Sequence, residues 1–424
     1  MDLRQRLTKA AVSRVSVLIV EVPGWAETRW AAELDVRLQG WRTASSPADA
    51  DLLLTCGSPG AALSRAIDLT WAQLPGPRAR AAALSPAETT AVLKRAADQL
   101  SDERWQKQDA VERGDGIALG SRADEPASED GADGAASAAA DKAAGHTVQS
   151  HEGHGDSGHE DDDGMSHGGH GDSGHEDMGH GDMSHEGHED MGHGGMSHEG
   201  HGGMDMSPGG IPLASGGGTD RDGLDLDVLH VPLGPVLPRW PAGLMLHCTL
   251  HGDVVTEARP EVLPVAPGSS PRSPLGTASD RLDRAAQLLA LAGWDDAAAA
   301  AVQIRDGVSD AGGSASLSTA LDRLIRRVQR SRTLRWSLRG LGVIDADFRR
   351  RHGLEEYMGG DVRERLIGFL TDARLALNGD SPEHSPTPVT ALPELVVGLE
   401  LSAVRLVVAS MDVDASRLQQ VTRA

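Results

Sequence analysis

The sequence predicts an α/β N-terminal domain built on a small doubly wound parallel sheet, a long disordered linker, and an α+β C-terminal domain. The last comprises a short β hairpin element plus a helical bundle. Three observations predict this. Up to residue 112, short apolar runs of strand length alternate with amphipathic stretches of helix length. From 113 to 219 apolar periodicity disappears and Gly, Ser, Ala, Asp, Glu, His and Met dominate. After residue 220, strand-like runs give way to a succession of helical patterns. The expected domain limits are therefore 1–112, 113–219 and 220–424.

Val15–Glu21 is a continuous apolar run, the pattern of a strand buried on both faces. Trp25–Leu34 follows as a helix and Asp35–Trp41 as a second strand. Asp51–Gly57 reads as a third strand ending in a glycine turn, and Pro59 suits the first turn of the next helix, where its missing N–H costs nothing. Helical spacing turns Leu63, Ile67, Leu69 and Leu74 inward. Arg80–Leu84 is a weaker fourth strand, and Pro86–Leu100 a closing helix with Ser85 as its cap. Strands separated by helices call for a parallel sheet.

Order returns at Asp220. Leu224–His230 and Gly243–Val255 read as strands with Gly252-Asp253 at a turn, and Pro264–Pro274 forms a joint. Helices are expected at Asp280–Leu291, Ala297–Asp306, Leu317–Leu338, Asp361–Leu375 and Leu392–Ser410. On the third, Leu321, Leu324, Ile325, Val328 and Leu334 keep one apolar face, while Arg323, Arg326, Arg327, Arg330, Arg332 and Arg335 occupy the rest. An arginine face is ordinarily a solvated one; in an acidic chain it can also dock an acidic partner or the linker itself.

The net charge of −23 is unevenly placed. No Lys or Arg lies between Lys142 and Arg221, whereas 15 Asp and Glu lie between Glu152 and Asp205. Such a chain is repelled by nucleic acid and by anionic membrane surfaces. Two cysteines, Cys56 and Cys248, exclude a disulfide framework and a four-thiolate metal site within one chain. The apolar runs Val15–Val20 and Leu395–Ala409 fall short of the roughly 20 residues a bilayer span needs, and no signal-peptide core precedes Val15. A cytoplasmic chain is expected, without a span of its own and peripheral on the inner face of the cell membrane through partner subunits.

The linker carries 13 histidines from His146 to His201 and seven methionines from Met165 to Met206. Imidazole suits nickel, copper(II) and zinc, thioether suits copper(I), and the carboxylates concentrate cations locally. The candidate ligands are His151, His154, His159, His167, His170, His175, Met178, His180, Met183, His185, His188, Met191, His193, Met196, His198 and His201. Weak, exchangeable binding of copper, nickel or zinc is the functional reading; a solvating spacer expanded by slippage is the plain one. The plain reading has its own support, because His154–Asp161 recurs as His170–Asp177 and Met183–His188 as Met196–His201.

Other motifs are weaker. In His247-Cys248-Thr249-Leu250-His251 a strand would point Cys248 and His251 to opposite faces, so a buried Cys and a surface His are expected. Cys56 lies where open α/β sheets bind ligands, yet a small core residue is the ordinary reading. Gly57-Ser-Pro-Gly60 lacks the Lys and spacing of a phosphate loop and reads as a turn. Of eight tryptophans, Trp25 and Trp240 in Pro/Gly loops are candidate partner anchors. No Ser/His/Asp set or carboxylate pair stands out, so no catalytic residues are assigned.

Ser46–Asp51, Leu52-Leu-Leu-Thr-Cys-Gly57, Leu63–Trp71, Leu74-Pro75 and Pro77-Arg78 resemble a family pattern of strand, "ADxxxxxG" turn, helix and "PxP". That pattern belongs to the cluster-carrying B-type (20 kDa) subunit of NADH:quinone oxidoreductase, or complex I, and to the small subunit of nickel–iron hydrogenases. Gly234-Pro235, Pro238, Gly243-Leu244, Leu246, Leu250 and Gly252-Asp253-Val254-Val255 resemble the opening hairpin of their D-type (49 kDa) or large-subunit partner. The departures are clear. The first loop, Val22–Glu27, has no cysteine, and Leu237, Arg239, Trp240 and Pro241 stand where the family's quinone-site histidines would be. The paired CxxC motifs are absent, and one thiolate near a loop cannot hold a four-iron cluster. The resemblance thus implies a degenerate fusion without iron–sulfur cluster or nickel: a non-catalytic structural or assembly subunit of such a membrane-associated oxidoreductase. A metal storage or delivery protein acting through the His/Met segment is the alternative.

Overall fold

The structure, a computed structural model, describes residues 14–123, 218–219, 225–226, 228–266, 277–311, 315–380, 382, 384–415 and 418. All sixteen candidate metal ligands, His151 to His201, lie outside the described residues, as does nearly all of the expected linker.

The N-terminal part runs β1 (Ser16–Glu21), α1 (Ala26–Leu38), β2 (Arg42–Thr43), β3 (Leu52–Cys56), α2 (Ala61–Gln73), β4 (Ala79–Ala83), α3 (Thr89–Ser101) and α4 (Glu103–Ala123). Its four strands are parallel in the order β2-β1-β3-β4, so the winding reverses between β1 and β3. Alternate residues serve opposite faces, as the pleat requires. Val17, Leu52 and Leu54 pack with Ala32 and Val36 of α1 and with Val92, Leu93 and Ala96 of α3. Leu18, Val20 and Leu53 pack with Leu63 and Ile67 of α2. Layers on both faces make this the doubly wound sheet that the alternation predicts.

Some expectations are corrected. Asp35–Trp41 is not a strand: α1 continues to Leu38, because Val36 follows Ala32 at i+4 and both are fully buried. The chain turns at Gly40 (φ +72°), and only Arg42–Thr43 pair with β1. Leu69 is 69% exposed, because the inward face of α2 is Leu63, Ile67 and Thr70, and Leu84 lies outside β4 and is exposed. Ser85 makes no capping bond; Pro86–Glu88 is a 3-10 turn and α3 begins at Thr89. Helix α4 runs past the boundary expected at residue 112.

The C-terminal part opens with a short antiparallel pair, β5 (Gly218–Thr219) and β6 (Asp225–Leu226). An antiparallel sheet follows in the order β7 (Val228–Leu233), β8 (Leu244–His251), β9 (Val254–Val262). The expected hairpin supplies two of the three strands, β8 in the middle and β9 at the edge, and β9 continues to Val262. Among the described residues eight α-helices come next: α5 (Ala278–Leu291), α6 (Asp295–Ala311), α7 (Ala315–Arg330), α8 (Arg332–Leu338), α9 (Ala346–His352), α10 (Val362–Leu377), α11 (Leu392–Val396) and α12 (Leu401–Ser410). Two helices read as continuous are broken. Leu317–Leu338 divides at Ser331, whose hydroxyl accepts from Leu334 N at 3.2 Å and starts α8. Leu392–Ser410 divides because the backbone at Gly398 and Leu399 pairs with Val255 of β9 (2.7 and 2.9 Å). Helix α9 is unforeseen; its Arg349-Arg350-Arg351-His352 run hides any apolar period. One core joins the inward faces of the sheet and bundle, from Leu244 and Leu246 through Leu282, Leu324, Phe369 and Val404.

The described residues before and after 126–204 belong to a single compact unit. Among the described residues no helix is long and apolar enough to cross a membrane.

Candidate functional site

An open parallel sheet offers a crevice at the carboxyl ends of its strands, where the winding reverses. Here that place is β1 and β3, ending at Glu21 and Cys56. The residues that follow turn back at once: Val22 N donates to Cys56 O (3.0 Å) and Trp25 N to Val22 O (3.0 Å). The Trp25 ring lies against Gly57, where a methyl group would come within 2.4 Å of it; Gly57 also has φ +108°, so both space and backbone demand glycine. The exit of β9 closes the other side. Leu263 joins the core under α2, and a methyl on Gly60 would stand 2.4 Å from Pro264 O. Protein fills the crevice on the β3 side, while the end of β1, at Glu21, borders a cavity.

Beside it the two parts meet through buried charge. Arg29 of α1 pairs with Glu21, with Glu33 (2.5 Å) and with both carboxylate oxygens of Asp283 on α5 (3.2 and 2.6 Å). Arg305 of α6 donates to Asp283 (2.6 Å), Glu33 (2.8 Å) and Asp306 (2.9 Å), and Arg37 pairs with Asp306. Burial pushes the Asp283 carboxyl up, but Arg29 and Arg305 outweigh it and hold the group at about 2. Glu21 goes the other way: burial raises it further than its share of Arg29 lowers it. The guanidinium of Arg29 is held well above its usual value, because Asp283, Glu33 and Glu21 together outweigh its burial. Four carboxylates share three guanidiniums and each has an oppositely charged partner, so the cluster fastens the parts together.

This network forms one wall of a cavity of about 470 Å³. Leu18, Val20 and Trp41 face it from the N-terminal part, and Ala286, Ala290 and Ala298 from α5 and α6. The loop after β7 supplies Val236, Leu237, Arg239 and Trp240. That loop is tightly built: Trp240 Nε1 donates to Leu244 O (2.8 Å), and Gly234 has φ +84°, with space for no side chain against the indole. Arg239 alone among described non-glycine residues takes positive φ, at +59°.

A second buried cluster lies within the C-terminal part. Asp412 accepts from Arg281 (2.8 Å), pairs with Arg284 (2.9 Å) and accepts from the Tyr357 hydroxyl (3.1 Å). Burial raises the Tyr357 phenol far above its ordinary value, and Asp412 adds to the shift. His384 stacks on Tyr357 at 3.7 Å and sits 3.1 Å from Asp372.

The candidate residues within the described part fall as follows. Cys56 is fully buried at the end of β3, and burial pushes its thiol far up. Cys248 is 3% exposed, and burial raises it to about 11; His251 lies on the opposite face of β8, as the strand period requires. Of the two loop tryptophans, Trp25 is half-buried with its ring against Gly57, and Trp240 is buried. The exposed indole is Trp336, at 84%. Among the described residues, no three His, Cys, Asp or Glu side chains come together as a metal site.

No protein-family model and no curated protein matches the chain.

Sequence reasoning missed the buried network. One signal was available: α5 carries Asp280, Arg281, Asp283 and Arg284 among its apolar residues, and the first three are buried. Charges on the inward side of an amphipathic helix mark a paired interior site, although nothing local names their partners.

Proposed function

We propose that this chain is a non-catalytic structural or assembly subunit of a hydrogenase-like or complex I-like oxidoreductase. The observation that carries the reading is the partly occupied crevice: Trp25 and the Leu263–Pro264 exit fill the end of β3, where a parallel sheet would receive a ligand. Ligand chemistry points the same way. The sequence offers two thiols, both buried and both pushed up, whereas cluster ligation needs several thiolates at one loop edge. The buried ion pairs of Arg29 and Arg305 with Asp283 join the N-terminal and C-terminal parts, as a fusion of two such subunits would require. Its partners in this reading are membrane-associated subunits of that complex, reached from the cytoplasmic side.

A second reading rests on a separate observation, the density of His and Met from His146 to Met206. In that reading the segment stores or delivers copper, nickel or zinc. One experiment separates the two. The full chain and a variant lacking 146–206 are purified from their native host by affinity tag, with proteomics and elemental analysis of each. Membrane-bound oxidoreductase subunits recovered equally with both support the first reading. Metal that co-purifies with the full chain only, without those subunits, supports the second. A stoichiometric iron–sulfur signal in the purified chain would sink the first.

A further inference from the structure

The composition of the whole chain speaks against anionic partners, yet the fold gathers one strongly basic face. Between residues 315 and 339 the sequence holds seven arginines, no lysine and a single acid, Asp322. Arg323, Arg326 and Arg330 of α7, Arg332 and Arg335 of α8, and Arg339 at its end are all exposed. Among the described residues no carboxylate lies within ion-pair distance of any of these six. Arg327 reaches one, Asp296 at 4.0 Å, while its guanidinium lies over the Trp294 ring. Asp322 is taken by Arg374 of α10 at 2.8 Å. Within the face stands Trp336, the most exposed large apolar side chain described.

Packing holds these charges in place. Leu321, Leu324 and Val328 of α7 and Leu334 and Leu338 of α8 are buried, and both helices pack on α10, so neither can rotate its arginines away. Arginines at i, i+3, i+4 and i+7 along α7 repel each other, a cost that an anionic partner relieves. On α8 the same spacing puts Arg332, Arg335, Trp336 and Arg339 on one side. The outward side of a helix is convex. Extended peptides and single-stranded nucleic acid are ordinarily held in grooves. A convex basic face with a projecting indole instead suits a broad, flat, anionic surface. At a membrane interface tryptophan sits at headgroup level, and arginine keeps its stem on apolar surface with its head in the polar layer.

We propose that this face docks directly on an anionic lipid surface, with its arginines against the headgroup phosphates and carboxylates and Trp336 inserted at their level. Each basic residue brought to such a surface strengthens binding by roughly fivefold. Aromatic area at the interface adds to that electrostatic attraction. The net charge of −23 works against the contact. Screening at physiological salt acts over about 8 Å, so the charge of the face decides, not the total. The contact gives the proposed subunit a membrane anchorage of its own. It does not rest on that reading, because lipid alone is the ligand.

The test pellets the full chain with vesicles of phosphatidylcholine alone, or of phosphatidylcholine with about a third phosphatidylserine. The expected result is that the chain sediments with the anionic vesicles and stays in solution with the neutral ones. Binding to the anionic vesicles should fall roughly tenfold or more between about 0.1 M and about 0.5 M NaCl, as screening shortens. Arg326→Gln, Arg330→Gln and Arg335→Gln together should weaken it on the order of a hundredfold. Trp336→Ala should weaken it several-fold. All four side chains are exposed, so these variants should keep the parent's Tm, which is measured alongside. Lys94→Gln, Arg95→Gln and Arg104→Gln, exposed on α3 and α4, remove the same charge elsewhere and should leave binding nearly unchanged. The proposal is overturned if the chain does not sediment with the phosphatidylserine vesicles, or sediments equally with phosphatidylcholine alone. It is also overturned if the control triple weakens binding as much as the face triple does. The face belongs to another partner, and the proposal again fails, if a single-stranded oligonucleotide or a glutamate-rich peptide binds the full chain more tightly than the vesicles and the face triple abolishes that binding.

Discussion

Asp283 is the carboxylate on which two buried guanidiniums converge, at 2.6 Å from Arg29 and 2.6 Å from Arg305. Replacing it by Asn keeps its size and removes its charge. Arg29 then retains Glu21 and Glu33, and Arg305 retains Glu33 and Asp306, so neither cation is wholly abandoned. Breaking a buried pair costs about 3–5 kcal/mol, and the surviving partners place this case near 3 kcal/mol. Linkage gives an independent figure. A carboxyl held at about 2 instead of the ordinary 3.8 contributes about 2 kcal/mol when ionised. Because its folded value is depressed, that stability is present above pH ~4 and is lost as pH falls toward about 2. Asp283→Asn should therefore lower Tm by roughly 6–12 °C at neutral pH and flatten the acid limb of the stability curve. Urea and thermal unfolding followed by near-ultraviolet dichroism, from pH 7 down to pH 2, measure both. A variant within 1 kcal/mol of the parent at pH 7, with an unchanged acid limb, would refute the assignment of this network as the fastening between the parts.

Gly57→Ala forces a side chain into the Trp25 ring and onto φ +108°, so unfolding should show a loss of at least about 2 kcal/mol. An exposed glycine such as Gly40, where a methyl meets nothing, should lose less. Cys56 and Cys248 are buried, with thiols raised by burial, so neither should react with a disulfide reagent at pH 8 in the native chain, and both should in denaturant. Rapid labelling of either without unfolding contradicts the packing. Asp361 caps α10 by accepting from Glu364 N (2.9 Å) and also accepts from Gly340 N (2.9 Å); Asp361→Ala should cost about 1–2 kcal/mol by urea titration. Isothermal titration of the full chain with Cu(I), Ni(II) and Zn(II) should give heat that deletion of 146–206 abolishes; heat that survives the deletion places the metal elsewhere.

Where the sequence reading was right, it rested on patterns that act locally. The Val15–Glu21 and Asp51–Gly57 runs read as strands, and Gly57 and Gly252 marked turns that positive φ bears out. It failed where a tertiary partner overrode the pattern. Asp35–Leu38 stayed helical because Val36 completes the buried face of α1, and the helix expected at Leu392–Ser410 opened because β9 claims its backbone at Gly398. The packing of Trp25 on Gly57 and of Trp240 in its own loop was not legible, because a loop residue gives no sign of what packs on it.

Taken alone, the sequence determined the parallel winding, the thiol count and the segregation of acid, His and Met into one segment, because periodicity and composition are properties of neighbouring residues. Only the tertiary structure decided that Arg29 meets Asp283, that Trp25 and Leu263 pack at the end of β3, and that six arginines of α7 and α8 face outward with little to neutralise them. Those facts depend on residues far apart in the chain, whose charges and volumes are matched only when the two parts fold against each other.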